Sequence, residues 1–155
     1  MTLQFDPVGE PDADTLVNLA RAFHHEDGHP LDEVGEMALR QIAHGEPFAQ
    51  AWLVRQQGQA LGYVIITLGF SVEYGGRDGF IDDLYLVPAA RGRGFGREVL
   101  EFTLERAREL GIRTLHLEVE IGNESATRLY RAAGFEETDR HLMRLRMRSP
   151  RSRTP

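Results

Sequence analysis

The chain contains no cysteine and no lysine. The first absence excludes disulfides, thiolate-bound metals and a cysteine nucleophile; it fits a reducing compartment, so a cytoplasmic protein is expected. The second excludes a Walker A phosphate loop, which requires its lysine. No apolar run approaches the roughly 20 residues of a membrane span. The opening Met1-Thr2-Leu3-Gln4-Phe5-Asp6-Pro7 shows neither the basic start nor the apolar stretch of a secretion signal. Aromatic residues are only 8%, with one tryptophan, Trp52, read as core.

What is present describes one globular domain. The 155 residues are 41% hydrophobic and 27% charged, enough chain to bury a core without staples. The formal charge is −6, and all 18 basic residues are arginines. Six of these follow Asp139, the last acid, so residues 1–139 set twelve arginines against all 24 acids. An acidic body favours small cationic partners over nucleic acid, and neither nucleic acid nor a membrane is expected as a partner. The Arg-rich end reads as a last strand and then a solvated tail. The domain is placed at residues 1–147, with a disordered Arg/Pro-rich tail over 148–155.

Periodicity divides the domain. Thr2–Asp6 reads as a strand, and Asp12 or Asp14 caps a helix to about His24 with Leu16, Leu19, Ala20 and Phe23 at helical spacing. His25 to Pro30 reads as a loop. A second helix over Asp32–His44 has Val34, Met37, Ala38 and Ile42 as its apolar face. Phe48–Arg55 and Leu61–Phe70 form a hairpin across Gln56-Gln57-Gly58-Gln59. After a turn at Gly75–Gly79, Phe80–Val87 is a strand stopped by Pro88. A helix from Gly94 to Leu110 ends at Gly111. Thr114–Glu120 alternates as a strand, Asn123 caps a helix closed by Gly134, and one or two final strands run from Phe135 to about Met147. This order gives an α/β fold with a mixed sheet.

The segment Phe80-Ile-Asp-Asp-Leu-Tyr-Leu-Val-Pro-Ala-Ala-Arg91-Gly92-Arg93-Gly94-Phe95-Gly96-Arg97 runs strand, glycine-rich turn, helix. Glycines admit close approach of a ligand, and a helix N-terminus presents unpaired N–H groups with about half a positive charge. The combination suits a pyrophosphate. A dinucleotide fingerprint begins at Gly92 and Gly94 but meets Arg97 where its third glycine belongs, and too little chain follows for a Rossmann domain.

Arg91-x-x-Gly94-x-Gly96 resembles the R/Q-x-x-G-x-G/A loop of the GNAT superfamily of acyl-CoA-dependent N-acetyltransferases. The likeness extends to the Ile81-Asp82-Asp83-Leu84-Tyr85-Leu86 strand, to Asn123-Glu-Ser-Ala-Thr-Arg-Leu-Tyr130 and to Ala133-Gly134-Phe135, and covers nearly the whole chain. The strand looks most like the diamine and spermidine/spermine acetyltransferase branch, with Asp82-Asp83 where that branch has Glu-Asp. The resemblance implies a single-domain GNAT fold, a mixed sheet of six to seven strands flanked by about four helices. It also implies acetyl-CoA as acyl donor, a small cationic primary amine as acceptor, and homodimerisation.

Such a transfer needs an amine stripped of a proton, a donor to the thioester carbonyl and an acid for the departing thiolate. By the resemblance, Tyr130 is that acid. Asp82 is the base, acting through water, or a substrate-binding carboxylate; Asp83 points to the opposite face of the strand. The main chain of Leu84, Tyr85 and Leu86 pairs with the pantetheine arm and polarises the carbonyl. Arg91, Gly92, Arg93, Gly94, Phe95, Gly96 and Arg97 hold the pyrophosphate, and Asn123 lies beside the pantetheine. Glu26 and Asp27 contact the cationic acceptor, with Glu73 and Tyr74 as weaker candidates for the same wall. No metal is expected, since the histidines of His24-His25-Glu26-Asp27-Gly28-His29 lack the spacing of helical ligands. Two other readings stay open: a protein or peptide N-acetyltransferase, which needs an open groove, and a non-catalytic acyl-CoA-binding module, against which Tyr130 argues.

Overall fold

The computed structural model describes residues 2–147, so the expected tail at 148–155 lies outside the described residues. Strand β1 (Gln4–Pro7) leads through a short 3-10 turn into helix α1 (Ala13–Glu26), then helix α2 (Glu33–Ala43). Strands β2 (Ala49–Gln56), β3 (Gln59–Ser71) and β4 (Gly76–Leu86) follow, then helix α3 (Phe95–Glu109), strand β5 (Thr114–Leu117) and helix α4 (Glu124–Ala132). The sheet runs in order β1-β2-β3-β4-β5, antiparallel up to β4 and parallel between β4 and β5, as a β-α-β connection requires.

Alternation along the strands feeds two cores. Ala51, Leu53, Tyr63 and Ile65 face α1 and α2, against Leu16, Val17, Ala20 and Leu39. Trp52, Val54, Val64 and Ile66 face α3, against Phe95, Val99 and Leu100. Trp52 is core, with its ring edge-on to Phe102. The β2–β3 hairpin turns through Gln57 and Gly58, both at positive φ, the geometry that two-residue hairpins favour.

Several expectations are corrected. Among the described residues the sheet has five strands rather than six to seven. Among the described residues nothing after Gly134 forms a strand: Leu142, Met143, Leu145 and Met147 are exposed and their backbone joins no ladder. Alternating side chains alone do not make a strand where no edge accepts its hydrogen bonds. Strand β5 stops at Leu117 rather than Glu120; its last pair with β4 is Leu117 with Ile81. The apolar face assigned to α2 is also wrong at Val34, Met37 and Ala38, which are exposed; Ile42 packs partly buried, and the buried residues are Leu39 and Ala43, with Gly35 on the same stripe. Helix α1 runs to Glu26, beyond the expected end at His24.

Candidate active site

Two irregularities in β4 create the site. The β3–β4 register pairs Ile65 with Asp83 but Ile66 with Ile81, which leaves Asp82 as the extra residue of a β-bulge. The last β4–β5 pair is Ile81 with Leu117. Beyond it, residues 82–86 have no strand partner on that side among the described residues. The sheet therefore splits at the bulge, leaving a strand edge with unpaired backbone groups.

One side of the split is a cleft of about 560 Å³ between the end of β4, the start of α3 and α4. Leu84, Tyr85, Leu86, Arg91, Gly94, Gly96, Arg97 and Asn123 line it. Gly94 is the N-cap of α3 at φ 82°, Gly92 lies at φ 71°, and no side chain caps the helix. A Cβ at either glycine meets nothing within 4 Å, so the glycines serve backbone conformation and leave the cradle open. Asn123 caps α4 by accepting from the Ala126 N–H at 3.2 Å. Arg91 donates to the Leu86 carbonyl at 3.0 Å and forms a two-point pair with Glu26 at 2.6 and 2.9 Å. That pair holds the Glu26 carboxyl below its usual pKa. Of the expected loop residues, Gly92, Arg93 and Phe95 do not line the cleft. Phe95 is buried in the core, with the Arg93 guanidinium 4.5 Å over its ring. Arg97 pairs with Glu101 one turn on.

The other side is a cleft of about 670 Å³. It holds Asp82, Asp83, Asp27, Glu118 and Glu120, with Arg144 and Arg146 from the C-terminal stretch. Asp82 is open to it, and burial of its surroundings followed by the nearby Asp83 raises its pKa, His24 opposing. Asp83 is buried on the same cleft's wall: its Oδ2 accepts from the Tyr63 hydroxyl at 2.7 Å and lies 3.0 Å from His24 Nε2. Tyr130 lines both clefts; burial raises its pKa, and no described residue is hydrogen-bonded to its hydroxyl. Asp27, Leu84 and Asn123 also border both.

Glu26 lines only the cleft of Arg91 and is not brought to the acidic side. Glu73 is bound two-point to Arg140, and the Tyr74 ring lies tilted against His116; neither lines the clefts. Asp27, His29 and Glu120 offer ligand atoms within 4.8 Å of one another, a grouping that spacing within 24–29 does not reveal, and His29 is already bonded to Glu120 at 3.1 Å.

Sequence reasoning missed His24 and Tyr63. For His24 a signal existed: Leu16, Ala20 and His24 recur every fourth residue, placing the ring at the end of the buried stripe of α1. Tyr63 had none, since its partner depends on the strand register.

Residues 14–135 match the acetyltransferase (GNAT) family. The chain belongs to the GNAT acetyltransferase family. It is 39% identical over 67 residues to the uncharacterized N-acetyltransferase YycN of Bacillus subtilis, covering 43% of each chain. It is 31% identical over 113 residues to the thialysine N-epsilon-acetyltransferase of Bos taurus, covering 68% of this chain and 66% of that one. The chain thus spans about half to two thirds of the length of these relatives. In three dimensions it is similar to the crystal structure of integron cassette protein HFX_CASS3 from the mobile metagenome of Cole Harbour Salt Marsh. That match has a TM-score of 0.81 and 34% identity, covering 95% of this chain and 92% of that one. This GNAT fold has an α/β mixed sheet and four helices, and no described helix is long and apolar enough to cross a membrane.

Proposed function

We propose that this GNAT protein transfers the acetyl group of acetyl-CoA to the amine of a small cationic acceptor. The observation that carries the reading is that two chemically opposite clefts share Tyr130 in their walls. The cleft at the start of α3 suits the donor: its uncapped helix end and glycine turn fit a pyrophosphate, and the free β4 edge suits the amides of the pantetheine arm. The acidic cleft suits an ammonium group.

In this reading Leu84, Tyr85 and Leu86 hold the donor arm by main chain and polarise the thioester carbonyl. Arg91, Gly94, Gly96 and Arg97 take the pyrophosphate, with Glu26 steadying Arg91. Asp82 and Asp27 receive the ammonium. Tyr130, kept protonated by burial, gives a proton to the departing sulfur. A second acceptor class is favoured by Arg144 and Arg146, which form no ion pair among the described residues and line the same cleft: an amine that also carries an anionic group, such as an amino acid or a peptide end.

Thiol release from acetyl-CoA, followed with a disulfide reagent over polyamines, aminoglycosides, amino acids and short peptides, tests this. The cysteine-free chain gives no background. Polyamine turnover is the expected result; turnover of amino acids alone selects the second class; no release with any amine contradicts the proposal.

A further inference from the structure

A protonated primary amine loses two protons on becoming an amide. One ends on the sulfur of coenzyme A, and the other must leave the cleft. Asp82 attracts the cation, but a carboxylate ordinarily titrates about six units below such an amine. The structure places a better-matched group beside it.

His24 stands on the last turn of α1 and forms part of the acidic cleft's wall. Its Nε2 lies 3.0 Å from Asp83 Oδ2, which also accepts the Tyr63 hydroxyl at 2.7 Å. A carboxylate that accepts from both sides fixes the proton of the neutral imidazole on Nε2 and leaves the lone pair on Nδ1. No described residue is hydrogen-bonded to Nδ1, and the His24 side chain is 27% exposed. An imidazole on the cleft wall, held through one nitrogen by a buried acid and with its other nitrogen unpaired, is built as a general base.

We propose that His24 takes the acceptor's proton, with Asp83 and Tyr63 as the residues that position it. This rests on the acetyl-transfer reading above. The ammonium gives one proton to Nδ1, directly or through one water. The freed lone pair forms the C–N bond at the thioester carbonyl, and the C–S bond breaks. Sulfur leaves with the proton of Tyr130, the second proton on nitrogen restores Tyr130, and His24 releases its own to solvent. Each turnover thus yields one amide, one thiol and one free proton.

The surroundings tune this base. The Asp83 hydrogen bond raises the imidazole pKa above its ordinary 6.5 against the opposing effect of burial, and Asp27 and Asp82 add to the rise. Glu118 and Glu120, beyond β5, face the same cleft and favour the charged ring, while Arg144 and Arg146 oppose it. Tyr63 and Tyr130 have raised pKa values and stay neutral at working pH.

Two measurements on the intact protein test the inference. Nitrogen-15 spectra across a pH titration, without any acceptor, are expected to show His24 as the Nε2–H tautomer, with a pKa above 6.5 that falls in Asp83→Asn. With the amine turned over fastest in the panel, wild-type kcat/KM is expected to lose activity on an acid limb at that pKa. His24→Gln is expected to lower kcat about 100-fold, leave the KM for acetyl-CoA within about twofold and abolish the limb. Asp83→Asn is expected to move the limb to lower pH, and Tyr63→Phe to keep it. An Nδ1–H tautomer, or a His24→Gln enzyme that retains the limb while only its Tm falls, overturns the inference alone. Absence of thiol release by the wild type with every amine overturns the acetyl-transfer reading and this inference with it.

Discussion

The two clefts that share Tyr130 are made from different materials. The proposed donor side is mostly backbone: a free strand edge, two glycines at positive φ and an uncapped helix end, with Arg91 already tied to Glu26. The acceptor side is mostly side chains, acids and a histidine whose protonation states depend on one another. Backbone sites tolerate change of most side chains but not of the chain's path. Side-chain sites fail one residue at a time and respond to pH.

The largest expected effect breaks the donor side. Gly94→Glu puts a side chain at φ 82°, beside the proposed pyrophosphate site, and adds a negative charge. Calorimetric titration is expected to show acetyl-CoA affinity reduced at least about 100-fold, while the fold, read by circular dichroism, persists. Retained affinity would separate the glycine turn from donor binding. Next, Asp82→Asn on the acceptor side is expected to raise the amine KM and lower kcat, together about 10- to 100-fold in kcat/KM, with the acetyl-CoA KM nearly unchanged.

The same variant has a stability consequence of opposite sign. The folded-state pKa of Asp82 is raised above its ordinary 3.8 by burial and Asp83, so folding disfavours its charged form. The favourable contribution of such a group is present below its unfolded pKa and is lost as pH rises through the folded one. Asp82→Asn is therefore expected to have a Tm above wild type at pH 8, the gap closing by about pH 4; an unchanged Tm at pH 8 contradicts the strain assigned to this carboxyl. The smallest effect sharpens the boundary between the clefts. Glu26→Gln breaks an exposed ion pair worth about 0–1 kcal/mol. It is expected to shift the acetyl-CoA KM less than about fivefold and to leave the amine KM in place. A shift confined to the amine KM would assign Glu26 to the acceptor side instead.

The contrast also explains what could be read from the residues in order. The donor side is contiguous: Leu84 to Arg97 follow one another, so strand, turn and helix cues locate it. The elements up to α4 were legible for the same reason, since each carries its own period and its own caps, such as Asp32 and Asn123. The acceptor side joins residues far apart in sequence. His24 and Asp83 meet across 59 residues, through the packing of α1 on the sheet. The bulge that frees Asp82 arises from a register shift between strands and leaves no mark in either one. Helix α2 offered two apolar stripes, and the one with the smaller residues, Gly35 and Ala43 about Leu39, is the one that packs. Residues 135–147 alternate like a strand but find no edge within the described chain.

In the proposed reaction both clefts deliver their substrates to Tyr130. Steady-state kinetics of Tyr130→Phe, with acetyl-CoA and the best amine varied in turn, tests this. A kcat lowered about 100-fold with both KM values within about twofold of wild type is expected. A kcat close to wild type, or a loss carried by one KM alone, would contradict it.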